Sequence, residues 1–294
     1  MTSFTPSKRL LPIMPGSREK LVLGTVQFGL QYGVNSAGRP SEEAVKAILG
    51  EACAAGIGLL DTSSAYGEAE SVLGRCMPEP YAFRLVSKYP KGAIPVRESF
   101  ARSLERLGGR KSLYGYLLHH FELFLQHPAI WEDFVALKEA GRVRKIGFSL
   151  YEPAELEYIL ERQLPFDLLQ IPFNLFDRKF LPYMEELHLK GVEIHVRSTY
   201  LQGLFFMDRD TLPEKLKPLR KYLLDLDAYA HGAGLTVAEL ALNANLQNPF
   251  VDGVLIGVDN LRQLRENLDA VKDIPLDFSV DVKEKDLLNP VNWK

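Results

Sequence analysis

Cysteine is scarce in this 294-residue chain, which has only Cys53 and Cys76. Two thiols cannot staple a disulfide scaffold of this size, and they lack the paired spacing of a zinc cluster. Cys53 falls in an apolar helical pattern and is expected to be a small buried hydrophobe. Long apolar runs are also missing: none approaches the roughly 20 residues that span a bilayer. Near the start, the apolar patch at 10–14 is short and interrupted by Pro12, so it does not form a signal peptide. These absences lead to the expectation of a reducing, cytoplasmic setting. Excess charge is absent too. The formal net charge is −3, from 35 basic and 38 acidic residues, which gives no reason to expect nucleic acid or an anionic membrane as partner. No Pro/Gly/Ser-rich linker and no low-complexity tract divides the chain. The expectation is one domain over 21–294 behind an N-terminal extension over 1–20.

What the sequence does contain is alternation. Short β-rich apolar runs at 21–28, 59–63, 84–89, 114–120, 145–150, 168–173, 193–200 and 253–258 are separated by helical patterns. Val45, Ile48, Leu49 and Ala52 mark one helix face, with Ser41 before it and Glu42 and Glu43 in its first turn. Pro153 suits a first helical position, and Thr236 with Glu239 has capping-box spacing. Leu261, Leu264, Leu268 and Val271 stripe the last helix. Strands that alternate with helices run parallel, and near-continuous apolar strands are buried on both faces. Eight such units predict a closed (β/α)8 barrel. The connection from about 200 to 253 is the long one and should hold extra helices.

In such a barrel the chemistry lies at the C-terminal ends of the strands. Few strand ends here carry reactive groups. The second ends in Asp61, with Tyr66 in the loop beyond; the third ends in Lys88; the fourth ends in His119 and His120. Gln170 sits on the sixth, and Arg197 and Ser198 on the seventh. Tyrosine, with an ordinary pKa near 10, is a weak acid–base group at neutral pH. A neighbouring ammonium such as Lys88 should lower that value, and Asp61 should hold the ammonium. A histidine beside them can polarise a carbonyl oxygen. This set suits protonating an oxygen as charge develops on it. Carbonyl reduction needs that service, and its hydride must come from a cofactor. A metal site is not expected. His119 and His120 are adjacent on a strand and point to opposite faces, and no carboxylate cluster accompanies them.

Several segments carry a resemblance. GLLDTSSAYGEAESVLGR (58–75), SKYP (87–90) and YLLHH (116–120) are similar, in order, to the tyrosine, lysine and histidine motifs of the aldo-keto reductase family. LGTVQFG (23–29), IGFS (146–149), LLQIPFN (168–174) and LIGVDNLRQLRENL (255–268) resemble further segments of that family, so the likeness runs from about 21 to 271. The resemblance implies an oxidoreductase with Tyr66 as general acid, Lys88 and Asp61 tuning it, and His119 orienting the carbonyl. It implies a soluble monomer or small homo-oligomer acting on a small-molecule carbonyl.

For the cofactor, the resemblance implies Thr25, Val26 and Asp61 near the nicotinamide, and Ser149 and Gln170 on its carboxamide. Leu150 stands where the family usually has Asn. Arg197 replaces the usual stacking aromatic; its guanidinium plane can also stack, or it can pair with a carboxylate. Ser198, Leu201 and Gly203 follow it, and Gly257, Val258, Asn260, Gln263, Glu266 and Asn267 form the adenosine side. NADP(H) is expected from the family's habit, with NAD(H) as the alternative, because Asp259, Asn260 and Gln263 stand where the family usually has a basic residue, although Arg262 and Arg265 are close enough in sequence to reach a 2′-phosphate. Phe28, Tyr32, Tyr89, His120 and Phe121 are the expected substrate-pocket residues. The tail ending at Trp293 and Lys294 is short, which suggests an open mouth. Segments 30–41 and 196–204 resemble a bacterial branch associated with sugar metabolism. The competing readings are an aldose dehydrogenase running the reaction in reverse and a cofactor-bound regulatory subunit.

Overall fold

The computed structural model describes residues 17–33, 38–77, 83–92, 94–274 and 276–293. Most of the extension expected over 1–20 lies outside the described residues; Ser17–Lys20 forms one 3-10 turn. Eight parallel strands then close into a barrel in sequence order. They are β1 (Leu21–Gly24), β2 (Leu59–Asp61), β3 (Arg84–Tyr89), β4 (Leu113–Leu118), β5 (Val143–Ser149), β6 (Leu168–Pro172), β7 (Glu193–Arg197) and β8 (Gly253–Gly257). Helices α1 (Val26–Gly29), α2 (Glu42–Ala54), α3 (Ala69–Cys76), α4 (Val96–Arg106), α5 (Phe121–Gln126) and α6 (Ile130–Glu139) follow the first four strands. Helices α7 (Pro153–Glu161), α8 (Leu181–Leu189), α9 (Arg220–Gly232), α10 (Val237–Leu246) and α11 (Leu261–Asp269) follow the rest.

The local signals read from sequence act as expected. Ser41 caps α2 through Ala44 N–H, Pro153 opens α7, and Thr236 and Glu239 form a reciprocal capping box on α10. The long seventh connection holds two 3-10 segments, α9 and α10. Six strands are shorter than expected, β6 and β8 by one residue each. β1 stops at Gly24 because the chain turns into α1, and β2, β4 and β7 stop at Asp61, Leu118 and Arg197, where the loops that form the mouth begin. Cys53 is exposed and Cys76 is the buried thiol. Cys53 follows Ala52 and so lies about 100° off the buried α2 face.

Packing follows the two-residue period of a strand. Leu23, Leu60, Leu85, Leu118, Phe148, Leu169, Ile171, Val196 and Ile256 face the helices in one large apolar cluster. Val22, Leu59, Val86, Leu117 and Leu168, each from a different strand, form a separate cluster inside the barrel. A further cluster joins α9, α10 and the C-terminal segment through Leu223, Leu240, Phe278 and Val282. At the N-terminal end of the strands, Glu193 accepts from His195 Nε2 at 2.7 Å and Tyr114 hydroxyl at 2.6 Å and pairs with Lys145 at 2.5 Å.

The lumen is tight enough that one strand position must be glycine. A Cβ on Gly147 would lie 1.6 Å from the Leu168 carbonyl oxygen. Gly147→Ala should therefore push β5 from β6 and destabilise the fold by roughly 1–3 kcal/mol, the usual cost of overpacking. A lower urea midpoint with an unchanged m-value is the expected result.

Candidate active site

Two residues beyond the inner apolar layer, the same inward parity brings up Gly24, Asp61, Lys88, His119 and Gln170, one each from β1, β2, β3, the end of β4 and β6. Lys88 Nζ donates to Asp61 Oδ1 at 2.5 Å, to the Thr62 carbonyl at 2.8 Å and to the Tyr66 hydroxyl oxygen at 3.3 Å. An ammonium has three donors, and all are used. The other Asp61 oxygen accepts from Gln170 Nε2 at 2.8 Å. The Lys88 and Asp61 side chains are 0% and 2% exposed.

Tyr66 comes from the loop between β2 and α3. Its carbonyl accepts from Ala69 N–H at 3.1 Å, and a Cβ on Gly29 would lie 1.8 Å from that carbonyl oxygen. Only glycine lets α1 support the loop this closely. His119 follows β4, and its N–H donates to the Tyr89 carbonyl at 3.2 Å. Its ring meets Tyr66 edge-on at 5.7 Å between centroids, and its Nδ1 lies 3.2 Å from Ser63 Oγ.

Electrostatics sharpen the roles. Burial, and next the Asp61 carboxylate, push Tyr66 well above its ordinary value, with Arg197 opposing. The expectation that Lys88 lowers Tyr66 is thereby corrected, because desolvation of the phenolate dominates. Burial also pushes Lys88 below the ordinary ammonium value, with Asp61 pulling it back. Burial, then Lys88, His120 and Arg197, hold His119 at about 2. The site at neutral pH therefore offers a protonated phenol and a neutral imidazole.

Tyr66 and His119 face a cavity of about 550 Å³ that extends to α11. Of the residues expected near a cofactor, Thr25, Val26, Asp61, Ser149, Gln170, Arg197 and Ser198 line it, as do Gly203, Gly257, Gln263, Glu266 and Asn267. Leu201, Val258 and Asn260 are not among the lining residues. Leu201 and Val258 are buried apolar side chains, and Asn260 caps α11 by accepting from Gln263 N–H at 3.0 Å.

The expected substrate residues divide. Tyr32 lines the cavity and accepts from Gln202 Nε2 at 2.9 Å. Phe28, Tyr89 and Phe121 do not line it and are corrected to core residues. Tyr89 neighbours the inward Lys88 on β3 and so points outward, where it meets Phe134. Phe121 packs on Phe148 and Tyr158. His120 is half-buried beside His119, at 4.6 Å between ring centroids, and is not a lining residue.

Sequence reasoning missed Gln27, Tyr151, Tyr200 and Phe206, which also line the cavity, as does Asp259, expected near the 2′-position. Arg197 lies over the Tyr151 ring at 4.1 Å and donates to the Leu150 carbonyl at 3.1 Å. Both of these contacts are with uncharged groups, so the stacking form of the expectation is the one seen here. The loop after β7 is strained where it borders the cavity: Ser198, Leu201 and Gln202 have φ of 65°, 45° and 51°. Among the described residues, no cluster of His, Cys, Asp or Glu could hold a metal ion, and no helix is long and apolar enough to cross a membrane.

Comparison with known proteins shows the family and the fold. The model of the aldo/keto reductase family matches residues 20–282. The chain is 28% identical to L-galactose dehydrogenase of Arabidopsis thaliana, covering 86% of each chain. It is 26% identical to the uncharacterized oxidoreductase YqkF of Bacillus subtilis, covering 85% of this chain and 90% of that one. Among solved structures, the holo form of the aldo-keto reductase AKR11C1 from Bacillus halodurans superimposes with a TM-score of 0.70 at 23% identity, covering 87% and 88% of the two chains.

Two outcomes follow from the buried cluster. Lys88→Met leaves the Asp61 charge without its cation and should cost roughly 3–5 kcal/mol, while Lys88→Met combined with Asp61→Leu should cost less than the two single changes added together. Chemical denaturation of the four proteins measures this. His119, held at about 2 when folded, stays neutral while the unfolded chain takes up its proton near the ordinary value of about 6.5. That site's contribution is present above this value and is lost as the pH falls below it. The His119 ring resonance should not titrate between about pH 4 and 8.

Proposed function

The chain belongs to the aldo/keto reductase family of nicotinamide-dependent oxidoreductases, and from that premise we propose that it reduces an aldehyde or ketone to an alcohol with Tyr66 as the proton donor. One observation carries the reading: the Tyr66 hydroxyl stands 3.3 Å from Lys88 Nζ, beside a neutral His119, at the edge of a deep cavity. A substrate carbonyl oxygen between Tyr66 and His119 meets two donors. Reduced nicotinamide, when bound, supplies the hydride. As negative charge grows on the oxygen, Tyr66 gives up its proton, and the phenolate that remains sits against the Lys88 ammonium. Asp61 holds Lys88, and Gln170 holds Asp61.

The lining fits such a cofactor. Gly24 and Gly257, neighbours in register on β1 and β8, leave that part of the wall without Cβ atoms. Gln27 keeps a buried Oε1 with no partner. Ser149 and the oxygen of Gln170 suit the carboxamide, because the Gln170 nitrogen already serves Asp61. Thr25 and Val26 border the nicotinamide side. The Arg197 plane, with Ser198 and Gly203 beyond it, suits the ring and the phosphates. Gly257, Gln263, Glu266 and Asn267 suit the adenosine.

At the adenosine end the wall carries two carboxylates, Asp259 and Glu266. The two basic residues nearby are engaged: Arg265 with Glu51 at 2.7 Å and Arg262 with Glu266 at 2.9 Å. With Glu266 matched by Arg262, Asp259 is the negative charge that a 2′-phosphate would meet there, whereas a 2′-hydroxyl could donate to its carboxylate. This favours NAD(H) over NADP(H), against the family habit. Tyr32, Tyr151, Gln202 and Arg197 give the mouth a polar lining, which suits a small polar carbonyl such as a sugar. None of the described residues after Asn267 lines the cavity, in keeping with an open mouth. A relative that is an L-galactose dehydrogenase supports a sugar and the reverse direction as the second reading. Reduction is favoured at neutral pH, because the upward shift keeps Tyr66 protonated.

Cofactor oxidation followed by absorbance with a reactive aromatic aldehyde tests the proposal. Tyr66→Phe should lower kcat at least about 100-fold. NADH should bind about tenfold more tightly than NADPH, a figure set by the roughly 1.4 kcal/mol of a charge contact. Oxidation of an alcohol or aldose should be slow at neutral pH and rise only under strongly alkaline conditions, because the upward shift keeps Tyr66 protonated through the ordinary assay range. If neither cofactor binds, or if Tyr66→Phe turns over like the wild type, the reading fails.

A further inference from the structure

The side chain that sets the donor atom of His119 is not among the tyrosine, lysine, aspartate and histidine of the proposed chemistry. Ser63 lies in the turn between Asp61 and Tyr66 and is fully buried. Its Oγ accepts from the Ala65 backbone N–H at 3.1 Å and lies 3.2 Å from His119 Nδ1. Among the described residues these are its only side-chain partners. Ala65 N–H is a donor, so the Ser63 hydroxyl proton has one acceptor available, the Nδ1 lone pair. If Nδ1 carried the proton, Ser63 Oγ would receive two donors and its own buried proton would have no acceptor. A neutral imidazole carries one N–H. A hydroxyl that donates to Nδ1 therefore leaves that hydrogen on Nε2, the nitrogen with no protein partner, on a ring that lines the cavity.

We propose that Ser63 is a positioning residue that fixes both the ring plane and the tautomer of His119, so that Nε2–H rather than a bare lone pair faces the substrate oxygen. The inference rests on the reductase reading for its consequence, but its structural content is independent of turnover. With the tautomer fixed, the cavity presents two hydrogen-bond donors to one oxygen, the Tyr66 hydroxyl and His119 Nε2–H. With the other tautomer, His119 would present a lone pair to an oxygen that gains negative charge, and repel it. The same turn of chain thus supplies the phenol and the hydroxyl that aims its partner.

The test is a long-range proton–nitrogen correlation spectrum of histidine-labelled protein at pH 7, with no cofactor or substrate. The chain has six histidines, and a His119→Gln sample identifies the signals of interest. The wild type should show His119 with its proton on Nε2 and an acceptor-type Nδ1. In Ser63→Ala the pattern should shift toward a mixture of tautomers. In turnover assays, kcat/KM for the carbonyl should fall about tenfold, the factor of one neutral hydrogen bond, with cofactor affinity unchanged. Should Ser63→Ala not fold, Ser63→Cys, a weak donor of similar size, gives the same comparison. A proton on Nδ1 in the wild type overturns the proposal, and so does a variant spectrum identical to wild type. If the tautomer responds to Ser63 while no aldehyde is reduced, the positioning role stands and the reductase reading fails.

Discussion

The barrel mouth is organised around a lysine ammonium held where water cannot reach it. Lys88 and Asp61 are both buried, and a pair of this kind is tolerated only when desolvation is offset by contacts that use every donor and acceptor. Lys88 meets that condition with three acceptors, and one of them is the Tyr66 hydroxyl. Asp61 meets it by taking Gln170 on its second oxygen. Residues from β2, β3 and β6 and from the following loop are thereby tied to a single charge. The geometry of the site and the stability of the mouth have one physical origin, and a change that relaxes one disturbs the other.

The same cluster was readable in the sequence to the extent that strand parity was applied. Leu59, Val86, Leu117 and Leu168 fill the lumen, and the residues two positions on are Asp61, Lys88, His119 and Gln170. The period of two brings these four to the mouth, and it also turns Tyr89 outward beside Lys88. Tyr89, expected in the pocket, obeys that constraint and lies outside the cavity, and Phe28 and Phe121 lie outside it for a related reason. Being near a strand end in sequence does not give a side chain the inward direction. Phe28 belongs to a short helix that had been read as strand, and Phe121 opens α5 and packs against Phe148.

Other features lay beyond local patterns. Tyr151, Tyr200, Gln202 and Phe206 come from loops whose path is set by tertiary packing, and no periodicity marks them. The left-handed residues Ser198, Leu201 and Gln202 carry no sequence signature, since none is glycine or asparagine. Their loop is fastened from several sides. Asn174 Nδ2 donates to the Ser198 carbonyl at 3.1 Å, and the Tyr200 hydroxyl donates to Asn267 Oδ1 at 2.5 Å. Leu201 is buried against the cluster built by the long seventh connection and the C-terminal segment. The extra helices therefore have a structural use: they hold a strained loop in place at the cavity wall.

Burial also decides which way the proton can move. A tyrosine with lowered pKa, as the sequence alone suggested, would act as base and acid with similar ease. In the folded chain, desolvation keeps Tyr66 protonated and His119 neutral, so neither ring is charged. Among the described residues, the charged side chains that act on these rings are Lys88, Asp61 and Arg197. Lys88 attracts the phenolate left by proton transfer, and Asp61 repels it. In the proposed reduction, this balance lets Tyr66 keep its proton until negative charge develops on the substrate oxygen.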